Sequence, residues 1–201
     1  MKILTKETLT FSFPGYPEFK DLANGTAGGR ADVRKREGAV AVGAKVPDFS
    51  VRALDGKSVL LSELRKDRAR TKTGVVVLSF WCSTCSSCRR VEHHLDKLAK
   101  DYRGQAAVLA LDANAGERAG RVAAFAREKG LALPIVLDPG GRTADLFGTE
   151  VTTTTVVIDG KGVLRYCGRF SQGDRAACAE EALKAVLSGG EVAVKTTPHD
   201  G

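Results

Sequence analysis

The 201-residue chain has no apolar run approaching the 18 or so consecutive residues that a membrane-spanning helix requires. Its start, Met1 to Glu7, carries charge but no apolar h-region, so no signal peptide is read there and a cytoplasmic protein is expected. Nor is charge of one sign gathered in one place. The 31 Lys and Arg against 24 Asp and Glu leave a net +7, spread over almost the whole length. That spread favours solubility and a general attraction to anions, and it argues against a nucleic-acid face or a membrane partner. The densest basic run, Arg30 to Arg36, falls in a segment not expected to fold. Apolar and charged fractions of 43% and 27% exclude a wholly disordered or fibrous chain. The length suits one domain with an appendage.

Residues 1–42 read as an N-terminal extension, partly flexible, because Pro14, Pro17 and the Gly-rich stretch from Asn24 to Gly29 bar a long helix or central strand. The folded domain is expected over residues 43–190, with 191–201 as a C-terminal tail. A short hairpin turns at Asp55-Gly56. Val75 to Phe80 is a nearly continuous apolar, β-branched run, as a strand covered on both faces requires. Val91, Leu95 and Leu98 then recur at helical spacing. Ala107 to Leu111 repeats the buried strand, and Val122, Phe125 and Ala126 mark a helix ending at Gly130. Leu133 to Leu137 is a short strand, and Thr153 to Ile158 pairs with Val163 to Cys167 around a tight turn. A last helix runs past Leu183 and Val186. This order predicts an α/β fold with a mixed central sheet flanked by helices, parallel in its first half and ending in an antiparallel hairpin. The expected core includes Val75, Val77, Leu95, Val108, Leu109, Phe125 and Val157.

Three of the five cysteines crowd into Cys82-Ser83-Thr84-Cys85-Ser86-Ser87-Cys88, between the first buried strand and the helix after it. A thiol in a first helical turn faces unpaired backbone N–H groups and the positive end of the dipole, which stabilise its thiolate. Two cysteines two residues apart on that turn can close a small disulfide. The same spacing also offers three thiolates to zinc, copper or an iron–sulfur cluster, but no fourth cysteine stands at a useful distance. His93 and His94 would have to turn back along the helix to join them, and they read as helix surface plus core edge. Buried, inert thiols are the remaining reading. Asp112 ends the second buried strand, where parallel sheets often place binding groups, though a solvated strand end is as good a reading. Cys167 and Cys178 read as isolated, partly buried thiols.

From Val42-Gly43-Ala44-Lys45-Val46-Pro47-Asp48-Phe49 onward, the chain resembles the thioredoxin-like redoxins of the alkyl hydroperoxide reductase/thiol-specific antioxidant superfamily. Leu54-Asp55-Gly56-Lys57, Phe80 to Arg89, Leu146-Phe147-Gly148, Val157 to Gly162 and Tyr166 to Arg169 follow in the family's order. The resemblance implies a thioredoxin-like fold and thiol–disulfide chemistry without an added cofactor. It places Cys85 at the attacking-thiol position and Cys88 at the resolving position. A subgroup with F-x-C-N-H-C-P would instead pair Cys82 with Cys85, so Cys82 is a second candidate partner. The implied partners are a protein or small-molecule disulfide as substrate and an external thiol as reductant. Thr84 stands where relatives carry tryptophan, Ser86-Ser87 replaces x-Pro, and Thr153 replaces a cis-proline. A cis bond before threonine costs about 2.5–4 kcal/mol, so a trans bond and a reshaped groove are expected. The peroxidase pattern P-x-x-x-T/S-x-x-C lacks its proline, so a dedicated peroxide pocket is not expected. No tail cysteine follows Gly190 in the sequence, so the second sulfur is expected to come from the cluster. The alternative function is a metal-binding thioredoxin-fold protein using Cys82, Cys85 and Cys88.

Overall fold

A computed structural model describes residues 38–114, 116–171 and 178–198 of the chain. Strands β1 (Ser50–Ala53) and β2 (Ser58–Leu60) form the hairpin around Asp55-Gly56, and α1 (Leu61–Lys66) follows directly. Then come β3 (Thr71–Trp81), α2 (Ser86–Asp101), β4 (Gly104–Asp112), α3 (Ala119–Glu128) and β5 (Ile135–Leu137). The chain continues through α4 (Arg142–Phe147), β6 (Thr154–Ile158), β7 (Leu164–Arg169) and α5 (Cys178–Leu187). Among the described residues no helix is long and apolar enough to cross a membrane.

The seven strands form one mixed sheet in the order β2-β1-β5-β4-β3-β6-β7. β3, β4 and β5 run parallel, while β6 and β7 add an antiparallel hairpin beside β3. The β1–β2 hairpin joins the far edge by pairing antiparallel with β5, a placement that local sequence did not specify. Helix α4 leaves no mark in the sequence pattern either. It is only six residues long and starts from left-handed Gly141, too short for an apolar period to show.

Successive residues of a strand face opposite sides, and β3 and β4 use this to build two cores. Val75, Val77, Ala106, Val108 and Ala110 meet Leu95 and Leu98 of α2, Val122 of α3 and Leu183 of α5. On the other face Val76, Leu78, Ala107, Leu109 and Leu111 meet Leu61 and Leu64 of α1 and Phe147 of α4. Both faces being covered explains the unbroken apolar runs. Of the expected core residues, Phe125 is the exception: it is half-buried at the edge, against Trp81 at 5.7 Å between ring centres.

Helix α2 is pinned at its far end by Asp96, whose Oδ1 accepts from the N–H groups of Ala132 and Leu133 at 2.8 Å each. The Val40 N–H donates to the Leu146 carbonyl. Residues 191–198 pack along β7. Val192 is buried, the Cys167 N–H donates to the Lys195 carbonyl, and Thr197 Oγ1 accepts from the Arg169 N–H at 2.7 Å. Gly168 permits this approach, since a Cβ there would stand 2.6 Å from the Thr197 nitrogen. The expected N-terminal extension falls almost wholly outside the described residues.

Candidate active site

Strand β3 delivers the cluster. Its last residue, Trp81, is buried beside Cys88, and the chain crosses Cys82 to Thr84 before α2 begins. Cys85 occupies the N-cap of α2 in extended backbone, with no side chain capping the helix. Its sulfur therefore lies beside the open N–H groups of the first turn, the position that favours a thiolate.

The Sγ atoms of Cys82, Cys85 and Cys88 all lie within 4.8 Å of one another, and none of the three is in a disulfide. They differ in access: Cys88 is fully buried, Cys82 is 8% exposed and Cys85 is half-buried. Burial pushes all three thiols up, and only at Cys85 do hydrogen bonds outweigh it. Thr152 Oγ1 stands 3.2 Å from Cys85 Sγ. Together with groups of Cys88 and Ser87, it brings the Cys85 thiol down to about 7 against that burial. Cys88 is pushed up to about 12, by burial first and then by the neighbouring Cys85 sulfur. Cys82 is also raised, by burial foremost, with Cys85 and Glu117 adding to it. The adjacent arginines are exposed: Arg89 lies over the Phe125 ring at 5.7 Å, and Arg90 donates to Ser87 Oγ.

A pair of carboxyls lies behind the cluster. Asp112 aligns with Trp81 across the β3–β4 pairing and is 2% exposed, so it is a buried acid rather than a solvated strand end. One oxygen accepts from the Asn114 N–H at 2.8 Å, while the other has no partner that donates to it. Glu117 accepts from the Ser83 N–H at 3.1 Å and from the Ser83 hydroxyl, tying the cysteine loop to the end of β4. Burial, then the nearby Glu117, pushes the Asp112 carboxyl up. Glu117 moves down despite its burial, because Asp112 and Ser83 hydrogen-bond to it and Arg121 adds positive charge. A protonated Asp112 facing an ionised Glu117 is the charge state that these two shifts favour.

Thr153 is the residue that the family resemblance sets at a cis-proline position. No peptide bond among the described residues is cis, and Thr153 instead takes φ +71°. A β-branched residue in the left-handed region is strained by roughly 1–3 kcal/mol. The turn is held by Thr153 N–H to the Phe80 carbonyl and by Phe170 N–H to the Thr153 carbonyl. Its consequence for the site is that Thr152, the preceding residue, presents its hydroxyl to Cys85.

The structure thus brings together the three cysteines and leaves the other sequence candidates apart. His93 and His94 are exposed on α2 and contact each other, and Cys167 and Cys178 are half-buried elsewhere. Thr152, Ser83 and Glu117 were missed as parts of the site. Thr152 carried a signal, since it precedes the position that family resemblance sets beside the thiols. Glu117 carried none, being 34 residues from the Ser83 it holds.

Residues 42–167 match the AhpC/TSA family. The chain belongs to that family. It is 32% identical over 132 residues to the thioredoxin-like protein YneN of Bacillus subtilis, spanning 65% of this chain and 73% of that one. It is 32% identical over 127 residues to the thiol-disulfide oxidoreductase ResA of Geobacillus thermodenitrificans, covering 63% and 68% respectively. In three dimensions it resembles the exposed lipoprotein thioredoxin Etrx1 of Streptococcus pneumoniae with a TM-score of 0.51 at 26% identity, over 71% of this chain and 99% of that one. An uncharacterised protein of Geobacillus kaustophilus shares the fold with a TM-score of 0.68 at 23% identity, over 79% and 88%. The thioredoxin-like α/β fold expected from sequence is the fold observed.

Proposed function

We propose that the chain is a thiol–disulfide oxidoreductase in which Cys85 is the attacking sulfur and Cys88 resolves. The observation that carries this reading is the unequal exposure of three adjacent sulfurs: one accessible thiol at a helix N-cap has two buried thiols within 4.8 Å. The names borne by relatives, oxidoreductase and thioredoxin-like protein, support the same class.

In the reducing direction the Cys85 thiolate attacks one sulfur of a substrate disulfide. The substrate's S–S bond breaks, and its other sulfur leaves as a thiolate that takes up a proton. Cys85 is then neutral in a mixed disulfide, and its charge no longer opposes ionisation of Cys88. The Cys88 thiol gives up its proton and attacks Cys85 sulfur, expelling the second substrate sulfur as a thiol. Two electrons pass from the dithiol to the substrate, and an external thiol reductant restores Cys85 and Cys88. Thr152 Oγ1 holds the initial thiolate by a hydrogen bond. Cys82, within the same 4.8 Å, is placed to substitute for Cys88 or to exchange with it.

Three variants test the assignment. Cys85→Ser is expected to abolish reduction of a disulfide substrate, since oxygen is a far poorer nucleophile than thiolate at neutral pH. Cys88→Ser is expected to trap a mixed disulfide at Cys85, visible by intact-mass analysis. Adding Cys82→Ser to Cys88→Ser should increase the trapped species. A Cys85→Ser protein with the wild-type rate overturns the reading.

A further inference from the structure

We propose that the reduced cluster is also a binding site for a soft monovalent metal ion, Cu(I), held by three thiolates from Cys82, Cys85 and Cys88. Dithiol turnover needs two sulfurs, and the third is unused in the simplest cycle. All three converge, however, instead of pointing to separate parts of the core. Thiolates about 2.3 Å from a shared ion stand roughly 4 Å from one another. The observed separations, all within 4.8 Å, need only a small inward movement to reach that arrangement.

The number and type of ligands choose the metal. Among the described residues no fourth Cys, His, Asp or Glu atom joins the group, and His93 and His94 are exposed farther along α2. Closed zinc sites are tetrahedral and take four protein ligands, whereas soft thiolates alone suit Cu(I). Two of the sulfurs are buried, which keeps water from the ion, while half-buried Cys85 leaves a way in. The open N–H groups at the start of α2 favour the negative charge of the thiolate set. Binding is a ligand exchange without electron transfer: three S–H bonds lose protons to solvent, three Cu–S bonds form, and copper remains Cu(I). Metal loading and disulfide formation use the same sulfurs and so exclude each other.

The experiment uses the full-length chain, fully reduced and anaerobic, titrated with Cu(I) from its acetonitrile complex against a competing Cu(I) chelator. One copper per chain is expected, with a near-ultraviolet thiolate-to-copper absorption and three sulfur neighbours by X-ray absorption at the copper edge. Cys82→Ser should weaken binding by more than about 100-fold, beyond what losing a mere supporting neighbour of a ligand costs. Cys167→Ser should bind as wild type does. Two sulfur neighbours in the wild-type chain, or undiminished binding by Cys82→Ser, would overturn the three-thiolate site. The sulfur count on the wild type decides the matter even if Cys82→Ser fails to fold. Zn(II) retained in preference when both ions are offered would overturn the assignment to copper. Loss of copper on dialysis, while Cys88→Ser still traps a mixed disulfide, would remove the metal site and leave the oxidoreductase reading standing. Copper retention with no trapping would do the reverse.

Discussion

The chemistry at the level of single residues turns on one hydroxyl. Cys85 and Cys88 are three positions apart on the same turn, yet burial lifts one sulfur while hydrogen bonding lowers the other. Thr152 supplies the only side-chain oxygen in hydrogen-bond reach of Cys85 among the described contacts. A hydrogen bond to a charged group contributes about 1.5–3 kcal/mol, and half-burial places this one at the lower end. At 1.36 kcal/mol per unit, Thr152→Val should therefore raise the midpoint for Cys85 alkylation by about one pH unit. The measurement is the rate of iodoacetamide labelling of reduced, chelator-treated protein, followed by mass. Wild-type labelling should be slow below pH about 7 and level off above it, because the thiolate is the reacting form. An unchanged midpoint in the variant would assign the stabilisation to the helix terminus alone.

Between elements, the Asp112–Glu117 pair joins the end of β4 to the loop that carries Cys82. A carboxyl whose folded pKa lies above its unfolded value contributes stability that is fully present below the unfolded pKa and is lost as pH rises through the folded one. Asp112 is of this kind, so the wild-type chain is expected to lose stability from mildly acidic into alkaline solution as the pair takes its second charge. Glu117, shifted down, has the opposite sign and acts at the acid end. Asp112→Asn keeps an acceptor for the Asn114 N–H and donates to Glu117 without a titrating proton. The difference in Tm, variant minus wild type, should grow with pH by about 2–4 °C for each kcal/mol of like-charge cost removed. A difference that is flat with pH would show that the two carboxyls do not share a proton.

At the scale of the whole molecule, residues 191–198 hold to the outer strand. Val192 is buried, and Thr197 completes a hydrogen-bonded group with Tyr166 and Arg169 at the outer strand. Burial of one valine stabilises by about 1.5–3 kcal/mol. Deleting residues 191–201 should cost about 2 kcal/mol or more and lower Tm by roughly 4–8 °C, measured by thermal unfolding. An unaltered Tm would show that the segment only lies on the surface. The larger architecture was legible because a two-sided sheet demands unbroken apolar strands and amphipathic helices demand a period near 3.6; β3, β4 and α2 display both. The crowding of cysteines at a strand-to-helix junction was legible for the same reason, since secondary structure alone sets three thiols on neighbouring turns. Local sequence carries no record of approaches between distant segments. The seating of β1 beside β5, Thr152 over Cys85, and Glu117 under Ser83 were decided by the tertiary fold, because each joins groups whose separation along the chain hides them from any local pattern.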